Sequence, residues 1–341
     1  MKRYLFKEGI IVNYEKVQLL VNNSRELDKA GGIFTGNSFR KCNALLLTLK
    51  GRSVDSKKIN QAIEVIKYNT SMLSNFRGYN LLTTATTISL EENMKGSFIE
   101  LMSIYDKLKG FFFTNQYLIL AAIVIFNARD RVDIDDAVKN TRKVYDYMKK
   151  KHRFLTGQED ISAAAMIATT SINIELTLNE IEECYEALIK KGFGIGNNTQ
   201  SLSHILPLFS GSVEEKVQRV FNVNMALKNN GVPLRYYSLP ILGVVAGITD
   251  DPNAFAKEVK EVNDKIKSEK GFGTFTLGST IRNMIATGLV ASYYVDRLNE
   301  EDKQILIDTT NNIALTIQIA IEIATVAATT GAAAAASSSG N

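Results

Sequence analysis

An imidazole held in apolar surroundings beside an amide and a hydroxyl is an arrangement suited to proton transfer. The string Gln200-Ser201-Leu202-Ser203-His204-Ile205-Leu206 offers one, with Gln200 a helical turn before His204 and Ser203 beside it. A second string, Leu155-Thr156-Gly157-Gln158-Glu159-Asp160, ends in adjacent carboxylates. Glu159, Asp160, Gln200, Ser203 and His204 are therefore the candidate binding residues, and none is assigned a catalytic role. Each also has a plain structural use. Adjacent carboxylates at a helix start cap its free amides, and a lone histidine on an apolar helix is most often a hydrogen-bonded core residue. A nucleophilic triad would need a G-x-S-x-G elbow, which the chain lacks.

Other chemistries fail on composition or spacing. The chain has two His and two Cys, so a zinc centre would need nearly all four to converge. No metal and no cofactor is expected. Gly192-Phe193-Gly194-Ile195-Gly196 lacks dinucleotide spacing and follows a helix pattern, so it reads as a helix stop and turn. Asp133-Ile134-Asp135-Asp136 begins like a cation loop but lacks its Gly and its later Glu. Cys184 reads as a small buried apolar group.

The elements that must position these residues recur with a period near 40. Ile104-Tyr105-Asp106, Val144-Tyr145-Asp146 and Cys184-Tyr185-Glu186 are each followed by a lysine-rich ending and then an aromatic: Phe111, Phe154 and Phe193. Gly192, Gly231 and Gly271 repeat the punctuation. Such self-similarity marks stacked supersecondary units. Each unit reads as an apolar helix followed by an amphipathic one. The apolar set is Phe39–Leu49, Leu81–Leu90, Tyr117–Phe126, Ile161–Ile172, Leu202–Phe209, Leu239–Ala246 and Leu277–Tyr293, with a leading helix near Tyr14–Asp28. Start signals are Ser212-Val213-Glu214-Glu215, Thr177-Leu178-Asn179-Glu180 and Asp251-Pro252. Pro207 should kink its helix. The tyrosines at 105, 145 and 185 fall on apolar faces, which points to packing between units rather than base stacking.

The expected fold is all-α: six or seven stacked antiparallel helical hairpins in one domain over residues 1–328. It is either an α-solenoid, with armadillo or HEAT proteins as the nearest class by period, or a closed α/α ring. Residues 309–328 are dense in isoleucine yet interrupted by Thr316, Gln318, Glu322 and Thr325, so a final packed helix is expected rather than a membrane span. Residues 329–341 form a low-complexity Ala/Ser tail expected to be disordered.

The two strings, the Gly192-Phe193 ending between them and the Ala-rich tail resemble an uncharacterised bacterial family known only as a domain of unknown function. The resemblance spans most of the chain. It implies an all-α protein and no particular activity.

Charge is uneven along the chain. Residues 1–60 carry twelve Lys/Arg against five Asp/Glu, and the remainder 28 against 31. The basic end reads as a solvated surface, without the aromatic interleaving of a nucleic-acid stripe. Unpaired-looking cysteines and an interrupted N-terminal apolar run suit a reducing cytoplasm. The functional expectation is a non-enzymatic scaffold with a protein partner. The alternatives are an enzyme or small-molecule binder around His204, and nucleic-acid binding through the basic N-terminal unit. Stable membrane insertion is not expected.

Overall fold

The computed structural model describes residues 14–30, 36–78, 80–171 and 173–296. The final helix expected within 309–328 and the tail 329–341 lie outside the described residues. The described residues form fourteen α-helices, joined in places by short 3-10 turns, and contain no strand. In chain order they are α1 (Tyr14–Lys29), α2 (Asn37–Leu49), α3 (Ser56–Tyr68), α4 (Asn80–Ile88), α5 (Met94–Lys109), α6 (Gln116–Ala128), α7 (Ile134–Lys151), α8 (Ile161–Thr170), α9 (Ile174–Lys190), α10 (Asn197–Ser203), α11 (Val213–Asn229), α12 (Pro240–Ile248), α13 (Pro252–Lys267) and α14 (Ser279–Asp296). None of them is long and apolar enough to cross a membrane.

Apolar and amphipathic helices sort into two layers. Even-numbered helices are buried on most sides. In α6 every residue from Leu118 to Phe126 is buried, and in α12 so are all but Gly247. Odd-numbered helices bury one stripe and turn a charged face to solvent; in α7 that stripe is Ala137, Val138, Thr141, Val144 and Met148. Each odd helix packs against the even helix that follows it, giving seven adjacent pairs from α1–α2 to α13–α14. The pairing is shifted by half a unit from the sequence reading, which grouped each apolar helix with the amphipathic helix after it. The longer connections, such as 69–79 and 152–160, are the ones that fold back into tight hairpins.

Neighbouring pairs touch within layers. Even helices contact in the order α2, α4, α6, α8, and then α10, α12, α14, and α10 rests on α9 and on the turn at Leu206–Leu208. The succession closes, because α14 packs on α2 and α1 on α13. Polar contacts fasten that seam. The Asn37 Nδ2 donates to the Gly271 carbonyl at 2.7 Å and to the Thr276 carbonyl at 3.0 Å. The Lys16 Nζ reaches Ser292 at 3.0 Å and Asp296 at 2.5 Å. Lys41, fully buried, pairs with Asp28 at 2.9 Å and lies 5.4 Å from the ring centre of Phe272. Of the two packings open to the sequence, the helices adopt the ring.

Local signals behave mostly as their chemistry dictates. Ser212 and Glu215 form the reciprocal capping box of α11, and Asp251 caps α13 ahead of Pro252. Gly192 and Gly231 end their helices at positive φ, and Gly271, also at positive φ, turns the chain three residues past the C-cap of α13. Two expectations fail. Asn173 caps α9, so Thr177 lies inside the helix and its hydroxyl bonds back to the Asn173 carbonyl. The helix expected over Leu202–Phe209 instead ends at Ser203, and a 3-10 turn follows at Leu206–Leu208. Pro207 cannot donate an amide and disfavours helix at the residue before it. The chain then passes close to α12, where a side chain at Gly247 would meet the Phe209 ring at 2.1 Å.

Candidate functional site

The connection between α7 and α8 meets the start of α10, so the two strings singled out in the sequence come together. The Gln200 Nε2 donates to the Thr156 Oγ1 at 3.2 Å, and that hydroxyl donates to the Met148 carbonyl at 3.1 Å. Lys149 donates to the Thr156 carbonyl. The Asp160 carboxylate accepts the Gly157 amide at 2.9 Å, and the Asn197 amide approaches Glu159 at 3.4 Å. Burial pushes the Asp160 carboxyl up to about 7, against the Gly157 hydrogen bond, which lowers it.

His204 is only 1% exposed, and neither ring nitrogen has a hydrogen-bond partner. Burial pushes its pKa down to about 3, helped by the nearby His152, so the ring is neutral at physiological pH. The Gln200 Oε1 and the Tyr185 hydroxyl are likewise buried and unpartnered. Tyr185 packs edge-on to His152, centroids 4.7 Å apart, and the His152 Nε2 meets Glu182 at 2.9 Å. The Ser203 hydroxyl is occupied by the Gln200 carbonyl at 2.8 Å.

The five sequence candidates therefore split. Gln200 joins the Thr156–Asp160 turn, Glu159 sits half-buried at its edge, Ser203 serves the backbone and His204 is buried without a hydrogen-bond partner. No nucleophile faces the imidazole through a hydrogen bond. Among the described residues no cluster of three or more His, Cys, Asp or Glu could hold a metal ion. Cys42 and Cys184 are buried thiols, and burial pushes the Cys184 thiol up to about 12. The tyrosine series does pack between units: Tyr105 stands edge-on to Phe76 at 5.1 Å and Tyr145 to Phe112 at 5.3 Å, as Tyr185 does to His152.

A different set of residues stands out at one end of the ring. The connections from odd to even helices lie together there. Asn80 at the head of α4 bonds the Gln116 carbonyl at the head of α6 at 2.8 Å, and Asn37 at the head of α2 bonds the 271–276 connection. Each of the six described connections turns a large apolar side chain outward, and three of them also bury one. Phe76, Leu234 and Phe272 are buried, whereas Leu73, Phe113, Phe154, Ile195 and Phe275 are 80–105% exposed and Tyr236 is 62% exposed. The outward set is spaced by 40, 41, 41, 41 and 39 residues. The same interval leads back to Phe34, outside the described residues. Tyr236 is held at φ 55°, a left-handed conformation that costs a bulky residue energy.

Sequence reading found the aromatic after each lysine-rich ending, at Phe111, Phe154 and Phe193, but took it as punctuation. Phe154 itself faces outward; in the other loops the missed signal was a second apolar residue one to three positions from one that packs on the core.

A family model matches residues 24–324, and its description is "Protein of unknown function" (DUF4003). The chain is also similar to the uncharacterized protein YeaA of Bacillus subtilis (strain 168), with 23% identity over 226 residues that cover 65% of this chain and 68% of that protein. No solved structure matches. The match over most of its length places this chain in the DUF4003 family.

Proposed function

We propose that the protein is a non-enzymatic interaction protein that works through the end of the ring carrying the odd-to-even connections. The observation that supports this reading is the periodic outward display of Leu73, Phe113, Phe154, Ile195, Tyr236 and Phe275. Apolar side chains left in water at one end of a molecule mark a surface that is covered in use. The opposite end has Leu176 as its counterpart among the described residues. Two buried cysteines kept as thiols fit work in a reducing compartment, the cytoplasm being the simplest.

The enzymatic alternative around His204 has less support. Its imidazole is neutral and sealed, and the neighbouring hydroxyl is spent on the backbone. Nucleic-acid binding through residues 1–60 draws only on their charge.

In-cell covalent footprinting tests the proposal. Hydroxyl-radical labelling of the chain in living cells is compared with labelling of the purified chain. Phe113, Phe154 and Phe275 should lose reactivity several-fold in cells while Leu176 and Met225 do not. Equal labelling of the two sets would refute the assignment of this end as the working surface.

A further inference from the structure

We infer that the apolar-tipped end of the ring docks on an anionic lipid surface, inserting its loop tips among the headgroups without spanning the bilayer. The inference rests on the proposed working surface and names its occupant.

Charge is the first argument. The six connections and adjoining helix ends (66–80, 107–117, 148–160, 189–199, 228–240 and 265–279) hold fifteen Lys/Arg against three Asp/Glu. The six segments at the other end (49–58, 89–94, 127–136, 171–180, 209–216 and 249–258) hold eight against fourteen. Helix dipoles explain part of this difference, since lysines favour helix C-termini and carboxylates N-termini. They do not explain why large apolar side chains stand exposed in the same loops as those lysines. Where a lysine has a partner on its own helix, as Lys67 with Glu64 and Lys109 with Asp106, the acid lies nearly a turn deeper and the cation nearer the rim. Basic residues beside exposed apolar tips combine the two attractions that hold a peripheral protein on an anionic membrane, neither of which suffices alone.

The form of the apolar display is the second argument. The tips come one or two to a loop from successive hairpins rather than as one groove that a folded partner would fill. Leu73 and Ile195 are aliphatic, and beside Leu73 stands Met72, also exposed. Single-stranded nucleic acid selects aromatic faces for stacking, whereas acyl chains accept aliphatic and aromatic side chains alike. Tyr236 has the amphipathic ring favoured at the headgroup level.

Vesicle flotation of the full chain tests the inference. Vesicles of phosphatidylglycerol and phosphatidylcholine in equal parts should carry the protein up the gradient, and phosphatidylcholine alone should not. Salt at about 0.5 M should weaken binding, because screening removes the charge contribution. The F154S/F275S variant should bind at least about tenfold more weakly, and K150E/R153E should lose a similar factor. L176S, at the other end, should bind like the parent. All five positions changed are at the surface, so unchanged thermal melting accompanies each variant. No flotation on anionic vesicles would overturn the lipid assignment, as would flotation indifferent to the rim variants. Protection of the rim in cells together with absent flotation would keep the working surface and reassign it to a protein. Lack of protection in cells would remove the surface itself.

Discussion

The Gln200 side-chain amide and the Thr156 hydroxyl, 44 residues apart in sequence, are bonded at 3.2 Å inside the molecule. That bond ties the head of α10 to the turn that starts α8, and Thr156 passes it on to the end of α7 through the Met148 carbonyl. Replacing Gln200 with Ala removes the bond and leaves the hydroxyl with one partner fewer. The expected loss is about 1–3 kcal/mol, read as a lower urea midpoint at unchanged slope.

Asp160 and His204 should make opposing contributions to acid stability. The folded His204 has its pKa near 3 against 6.5 for the free group, so the unfolded chain binds the extra proton and stability falls as pH drops from about 6.5 toward 3. The folded Asp160 has its pKa near 7 against 3.8, so the folded chain binds the extra proton and stability falls as pH rises from about 4 to 7. Each group can contribute on the order of 4 kcal/mol across its window, and where the windows overlap the two slopes cancel. Denaturant titrations at pH 4.5 and pH 7 should therefore differ little at these positions in the parent. H204L should be more stable at pH 4.5 than at pH 7, and D160N should show the reverse. Parallel shifts of both variants would contradict the assignment.

The buried Lys41 at the ring seam depends on Asp28. Burial pushes its pKa down and Asp28 counters this through a hydrogen bond and charge. D28A should cost about 3–5 kcal/mol, because it strands a buried cation. D28A/K41M should recover most of that, since a packed apolar chain needs no counter-charge. Thermal or urea unfolding of the three proteins measures the difference.

Cys184 should be inert in the folded chain, its thiol held near 12 by burial. Together with the buried Cys42, it should release no chromophore from a disulfide dye until the protein is unfolded, when two equivalents appear. One fast equivalent under native conditions would contradict the packing.

Tyr236 bears strain at φ 55° while exposing its ring. Y236N should stabilise the fold by about 0.5–1 kcal/mol, because Asn tolerates the left-handed region. The same change should weaken vesicle binding. A variant that gains stability while losing attachment would show that this conformation is kept for its exposure.

Much of the fold is legible in residue pattern, since burial sets the pattern. Every even helix of the ring except α10 has its apolar run in the sequence, from Phe39–Leu49 to Leu277–Tyr293. The layer exchange is written in stripes such as Ala137, Val138, Thr141, Val144 and Met148. Closure is not legible, because the seam between α14 and α2 depends on curvature summed over seven pairs, and no local window contains it. Of the site, the joining of Thr156 to Gln200 could be suspected but not placed. The rim tips were hidden because Phe154 and Phe272 are both aromatics after a helix ending, yet one faces solvent and the other is core. Sequence spacing does not say which of two neighbouring apolar residues the backbone will turn outward.

A ring constrains its own evolution differently from a row. An open stack accepts one more hairpin at either end or loses one, and its surviving neighbours keep their contacts. Here α14 rests on α2, so an eighth pair would have to pry that seam apart and a deleted pair would leave a gap that the others must bend to close. The number of hairpins is therefore a property of the whole circumference, and length changes should accumulate in the turns between helices rather than as whole units gained or lost.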